Sequence, residues 1–278
     1  MEFAPFFYLE LKEHILDVPY TLAKRRIRVL LPKDYEAHPD KHYPVVYMHD
    51  GQNVFHSKEA FSKHSWKTIH AIKRNPDLPS MIIVGIDNGE ETRTLEYLPW
   101  TVKEAYDSSL SGQGGRGAEF SEFVVTIVKD FVDKHYRTIP DAAHTAMIGS
   151  SFGATISTYL GAAYKDQIGR LGIFSLTNWA VAQDFDRFIE RVDLPNDQRI
   201  YIECGTEEGD EIDEMIIGPY TEQAYITDAI KYSQQVMQSG VAPENVSLNI
   251  FHGDEHSEKY WSKHLPDCLR FISQGWPL

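Results

Sequence analysis

Cysteine is almost absent: Cys204 and Cys268 are the only two in 278 residues. That excludes a disulfide framework, and buried free thiols of a reducing compartment are expected instead. Long apolar runs are missing too. Stretches such as Met81–Val84, with Ile86 just beyond, have the length of strands and fall far short of the roughly 20 residues a membrane helix needs. Basic charge is scarce, since 27 Lys and Arg face 41 Asp and Glu for a net charge of −14. Such a surface repels phosphate backbones and anionic headgroups, so neither nucleic acid nor a membrane is expected as partner. No repeat, low-complexity tract or Pro/Gly/Ser linker interrupts the chain, and residues 1–278 read as a single domain. Met1-Glu2-Phe3-Ala4-Pro5 offers neither a basic start nor a small-residue cleavage site, which makes the cytoplasm the expected location.

What is present is the composition of a folded protein, 42% hydrophobic and 24% charged, with length enough for a core without staples. Short β-branched runs alternate with helical patterns. Arg28–Leu31, Val45–Met48, Met81–Ile86, Thr145–Ile148, Leu171–Phe174, Arg199–Cys204 and Val246–Phe251 read as strands, the third buried on both faces. Between Glu119 and Tyr136, the residues Phe120, Phe123, Val124, Ile127, Val128 and Phe131 form one helical stripe. Thr221–Ser239, stopped by Gly240, and Tyr260–Ile272 are further helices. Strands separated by helices imply an α/β fold with a mostly parallel sheet.

The sharpest motif is Gly149-Ser150-Ser151-Phe152-Gly153, after a strand and before the helical stretch Ala154–Tyr164. This is G-x-S-x-G in the strand–turn–helix setting that gives it meaning. A tight turn there forces Ser151 into strained φ/ψ and lifts its hydroxyl above the sheet at a helix N-terminus. The flanking glycines leave room, and the Phe152 N–H becomes an oxyanion donor. The bland alternative is close packing of a helix on a strand, which the position after a buried strand disfavours.

A serine hydroxyl needs a general base, and histidine is the side chain tuned for it. Among 12 histidines, His256 lies in the loop between the last strand and the last helix, where the nucleophile–acid–histidine order expects the base. His252 reads as structural and His264 as a solvated helix residue. No metal site is expected, because the histidine pair at 252 and 256 lacks a convergent third ligand. The acid, which would orient the imidazole, belongs after Arg199–Cys204. Spacing alone leaves Glu207, Glu208 and Asp210 level. Past Val45–Met48, the turn His49-Asp50-Gly51-Gln52-Asn53 offers the Gln52 N–H as the second oxyanion donor.

Several of these segments together resemble the putative esterase family of α/β-hydrolases, which includes siderophore-trilactone esterases, feruloyl esterases and, more distantly, S-formylglutathione hydrolase. The matching residues are Tyr47–Asn53, Val84–Gly89 leading to Arg93 and Glu96–Pro99, Tyr136-Arg137-Thr138, Gly149–Gly153, Gly172–Ser175 with Trp179, Gly205–Glu208, and Gly253–His256 with Trp261. They span roughly residues 20 to 275. The resemblance implies an α/β-hydrolase fold, places the acid at the fourth position of G-T-x-[DE], which is Glu208, and supports Ser151, His256, Gln52 and Phe152. The chain departs from the family in Ala154, where a second glycine is usual, and in the acidic stretch Glu207–Tyr220.

The expected activity is hydrolysis of a small-molecule ester through an acyl-enzyme, with no cofactor. Arg93, Tyr97, Trp100 and Trp179 are the candidates for the substrate pocket, and an arginine there would favour acidic or oxygen-rich substrates. An acyltransferase using the same intermediate and a non-catalytic binding protein are the competing readings.

Overall fold

The computed structural model describes residues 10–103, 110–209 and 220–277. Within them the strands are β1 (Leu11–Val18), β2 (Ala23–Leu30), β3 (Val45–His49), β4 (Ile82–Ile86), β5 (Thr145–Ser151), β6 (Arg170–Leu176), β7 (Arg199–Glu207) and β8 (Val246–Glu255). They form one sheet in the order β1-β2-β4-β3-β5-β6-β7-β8. β1 and β2 are an antiparallel pair, β2 joins β4 antiparallel, and every pairing from β4 through β8 is parallel. The α/β reading therefore holds. β1 escaped the sequence reading because LKEHILDV mixes charged with apolar residues. It is a half-exposed edge strand that touches the sheet only through β2.

Both faces of the central strands are buried, so their apolar residues run on without alternation. Val45, Tyr47, Val84 and Met147 face one core. Val46, Met48, Ile83 and Ile148 face the other. The helices are α1 (Thr68–Arg74), α2 (Arg93–Tyr97), α3 (Gly117–Phe123), α4 (Asp130–His135), α5 (Phe152–Ala163), α6 (Ala182–Ile189), α7 (Thr221–Gln238) and α8 (Glu258–Ile272). The first core packs on α3, α4, α5, α6 and α7, the second on α1 and α8 through Ala71, Trp261, Leu265 and Cys268.

The stripe expected over Glu119–Tyr136 meets one deviation. A π-helical segment, Val124–Lys129, joins α3 to α4. Its wider turn shifts the buried register, so Val125 and Val132 enter the core while Ile127 and Phe131 are only partly buried. Gly240 follows α7 at φ 120°, the conformation expected of its cap.

The chain leaves β3 toward β4 on one side and later places β5 on the other. In open α/β sheets the crevice beyond such a switch point is where ligands bind. Here the residues beyond β3 and β5 are the 49–53 turn and the Ser151 elbow. Buried ion pairs anchor the turn's far side. Arg28 binds Asp87 at 2.8 Å, and Arg25 binds Glu96 at 3.0 Å. Cys204 and Cys268 are both buried and free. No helix among the described residues is long and apolar enough to cross a membrane.

Candidate active site

Ser151 ends β5 and caps α5 with φ 56° and ψ −131°. For a residue with a Cβ this is a sparsely populated conformation that costs on the order of 1–3 kcal/mol. Gly149 is what makes the turn possible: a Cβ there would lie 2.1 Å from the Gly153 carbonyl oxygen. Gly153 is less constrained, since its Cβ would meet Asp50 Oδ2 at 3.3 Å, so only the first of the two glycines is demanded by a clash. The Ser151 hydroxyl makes no capping hydrogen bond to α5. Phe152 opens α5, where the first N–H groups have no partner within the helix.

The residues expected as acid and base are brought together. Glu207 and Glu255 are paired across β7 and β8, so the residues just beyond, Glu208 and His256, emerge side by side. Glu208 Oε2 lies 2.7 Å from His256 Nδ1. Glu208 Oε1 accepts the Gly205 N–H at 2.8 Å and the Ser175 hydroxyl at 2.5 Å. Glu208 is 2% exposed while Glu207 faces solvent, which separates two acids that spacing left level; Asp210 lies outside the described residues. A carboxylate oxygen accepts, which assigns the proton of this contact to His256 Nδ1. Tyr225 of α7 and Trp261 of α8 flank the imidazole at ring distances of 4.9 and 5.0 Å.

The other histidines sort differently. His252 is exposed beside Thr206. His264 is not the solvated residue expected. Its ring stacks on Phe251 at 3.5 Å and its Nε2 lies 2.6 Å from Asp254 Oδ2, because β8 continues past Phe251 and folds Asp254 back over α8. No group of His, Cys, Asp or Glu among the described residues is arranged to hold a metal ion.

The 49–53 turn is braced from beneath. A Cβ on Gly51 would fall 2.7 Å from the backbone of Gly85 and Asp87, so only glycine fits between β3 and β4 here. Asp50 sits at φ 53° and receives both Nε (2.8 Å) and Nη2 (2.9 Å) of Arg93. Burial works to raise the Asp50 carboxyl pKa, and the Arg93 charge with the Arg93 and Asn88 hydrogen bonds outweighs it, leaving it below the usual carboxylate range. Burial likewise opposes the Arg93 charge, and Asp50 more than restores it. Arg93 also lies over the Phe152 ring, 5.9 Å from its centroid. One ion pair thus spans the turn carrying Gln52 and the helix start carrying Phe152, while the Gln52 side-chain oxygen accepts the Asn88 N–H. Asp50 was part of the sequence pattern without a role; its buried bidentate pair supplies one.

The four pocket candidates separate. Tyr97 is 0% exposed and its hydroxyl accepts the Asp50 N–H. Packed against His49 and Phe120, it supports the turn from inside the core and does not line a pocket. Trp100 is engaged edge-on with Tyr159 and packs on Phe185 and Phe188, which commits most of its ring to α5 and α6. Trp179 stays beside the elbow, its ring 6.5 Å from that of Phe152, and its backbone N–H is donated to Asp228 Oδ2 at 2.5 Å. Burial pushes the Asp228 carboxyl up to about 7. Leu98, Val102, Leu110 and Val181 make an apolar cluster against Phe152, Trp100 and Trp179. His49, behind the turn, is buried with no partner on either ring nitrogen among the described residues, and burial pushes it down to about 4.

The model of the family described as putative esterase matches residues 20–272. The chain belongs to the putative esterase family. It is accordingly a carboxylic ester hydrolase of α/β-hydrolase fold. Among solved structures, this esterase is similar to an IroE-like serine hydrolase from Shewanella oneidensis, with a TM-score of 0.72 and 15% identity over 95% of this chain and 79% of the other. It is also similar to the ferulic acid esterase of Anaeromyces mucronatus, with a TM-score of 0.60 and 19% identity over 95% and 89%. The enterobactin esterase of Shigella flexneri gives 0.69 and 18%, and there the esterase covers 95% of its own length but only 59% of the other chain. At these identities the likeness is one of fold. Comparison with curated proteins gives no match.

Proposed function

We propose that the protein hydrolyses small-molecule esters through a covalent acyl-enzyme formed on Ser151, with His256 as general base and Glu208 as the acid that orients it. The observation that carries this reading is the Glu208–His256 hydrogen bond of 2.7 Å, at the sheet edge where the strained Ser151 elbow stands. In the first step Ser151 Oγ attacks the ester carbonyl and His256 Nε2 takes its proton. The imidazolium that forms is stabilised by buried Glu208. The Gln52 and Phe152 N–H groups hold the developing oxyanion, each worth about 3–4 kcal/mol in comparable sites. His256 then protonates the leaving alcohol, and activates water to release the acid.

Beside the elbow, Phe152 and Trp179 pack on a buried apolar cluster, surroundings suited to an apolar or aryl group. The names of the similar structures, ferulic acid and enterobactin esterases, point the same way, and aryl-bearing esters are the substrates we propose. Arg93 is already bound to Asp50, so we assign it to holding the turn and the elbow together ahead of selecting acidic substrates. The single-domain organisation, the cytoplasmic setting and the absence of nucleic acid and membrane partners are part of the same proposal, supported by the free cysteines and the acidic surface. Ser151→Ala should abolish turnover of an activated aryl ester with the fold intact, and a fluorophosphonate probe should label the parent but not the variant. Turnover retained in Ser151→Ala would refute the assignment.

A further inference from the structure

β6 and β5 lose register beside the elbow: Ser150 pairs with Phe174 and Ser151 with Leu176, leaving Ser175 as an extra residue. Ser175 takes φ 49°, the left-handed region, and a bulge of this kind turns a side chain away from its regular direction. Its hydroxyl, fully buried, lies 2.5 Å from Glu208 Oε1 and 2.7 Å from Trp261 Nε1. An indole nitrogen can only donate and a hydroxyl has one proton. Trp261 therefore fixes the direction of the whole chain. Its N–H goes to Ser175 Oγ, the Ser175 proton goes to Glu208 Oε1, and Glu208 Oε2 is left to accept from His256 Nδ1. The same Trp261 ring meets the His256 ring at 84° with centroids 5.0 Å apart, so the indole that starts the relay packs against the imidazole that ends it.

From this arrangement we infer that Ser175 and Trp261 are positioning residues for the hydrolysis, acting through Glu208 to hold His256 in the Nδ1–H tautomer. The inference rests on the reading of Ser151, Glu208 and His256 given above. Neither residue needs to meet substrate. Their effect is to deprive the carboxylate of any other orientation, which keeps the Nδ1 proton in place throughout the cycle and leaves Nε2 as the nitrogen that takes up and returns the Ser151 proton.

The test is a double-mutant cycle on the full chain with Ser175→Ala and Trp261→Phe, assayed with an activated aryl ester. Losing one hydrogen bond to a buried charge should lower kcat about ten- to a hundredfold, with KM within about threefold. The double variant should be no slower than the slower single one, because both changes cut one relay. Trp261 also stacks on Trp66, so Trp261→Phe can lose stability; Ser175→Ala removes only a hydroxyl and carries the test alone if the other fails to fold. A second readout needs no turnover. In a Ser151→Ala background the His256 Nδ1 proton, identified by its loss in His256→Gln, should give a resolved NMR resonance that shifts or broadens on adding Ser175→Ala. Parental kcat and an unchanged resonance in Ser175→Ala, or fully additive losses in the double variant, overturn the inference. Activity surviving in Ser151→Ala would instead overturn the underlying reading, so the two failures are distinct.

Discussion

Replacing Glu208 by glutamine changes no shape and should nonetheless disable the proposed site. Glu208 Oε1 receives two donors, the Gly205 N–H and the Ser175 hydroxyl, and Oε2 faces His256 Nδ1. Glutamine has a single oxygen. The Gly205 donor is backbone and has no alternative geometry, so the amide oxygen must occupy the Oε1 position and the NH2 group must face Nδ1. Two N–H groups cannot face one another, and the imidazole is driven to the tautomer with its proton on Nε2. The nitrogen left for Ser151 is then no longer a base. The equivalent loss of tautomer in a serine protease costs about 10⁴-fold in kcat, or about 5 kcal/mol at roughly 1.4 kcal/mol per decade. Steady-state turnover of an activated ester, with the fluorophosphonate labelling rate alongside, measures it. KM should move little and the thermal midpoint should stay near the parent's. A Glu208→Gln protein within tenfold of parental kcat would show that Glu208 does not set the tautomer.

Other expectations rest on the surrounding structure. Gly149→Ala should destabilise by about 3 kcal/mol, since its Cβ would sit against the Gly153 carbonyl, whereas Gly153→Ala should be close to neutral; equal denaturation midpoints for the two would contradict this. Arg93→Met leaves buried Asp50 without its charged partner and should cost about 3–5 kcal/mol, most of it recovered in the Arg93→Met/Asp50→Asn double variant; no recovery would mean that the ion pair is not what braces the turn. His49, pushed down to about 4 by burial, takes up its proton more readily when unfolded. Stability is therefore full above about pH 6.5 and is lost as pH falls toward 4, by about 3 kcal/mol from this group. His49→Phe should flatten the fall in denaturation midpoint between pH 7 and 4.5, and an unchanged slope would count against it.

How legible each residue was depends on how local its constraint is. The Ser151 elbow is a matter of five residues and the clash a Cβ would meet at one of them, so the motif was readable from sequence. The strands of the parallel sheet announced themselves because burial on both faces leaves unbroken apolar runs. β1, a half-exposed edge, had no such signal. Nothing local to Glu96–Pro99 separates a pocket tyrosine from a core one, and Tyr97 was a pocket candidate; the packing of α2 against Phe120 and His49 put it in the core. His264 read as solvated from its helix face, before the continuation of β8 supplied Asp254 and Phe251 as neighbours.

By itself the sequence determined the fold class, the G-x-S-x-G turn between strand and helix and the strand–loop positions from which an acid and a base would come. These follow from periodicity and from steric rules that act within a few residues. Only the tertiary structure decided that Glu208 is buried while Glu207 is exposed, that Asp50 claims Arg93, and that Ser175 and Trp261 close on Glu208. Each of those outcomes is a hydrogen bond or a loss of solvent made between segments that the chain itself keeps apart, and adjacency in space is created by the sheet's order, which no local pattern encodes.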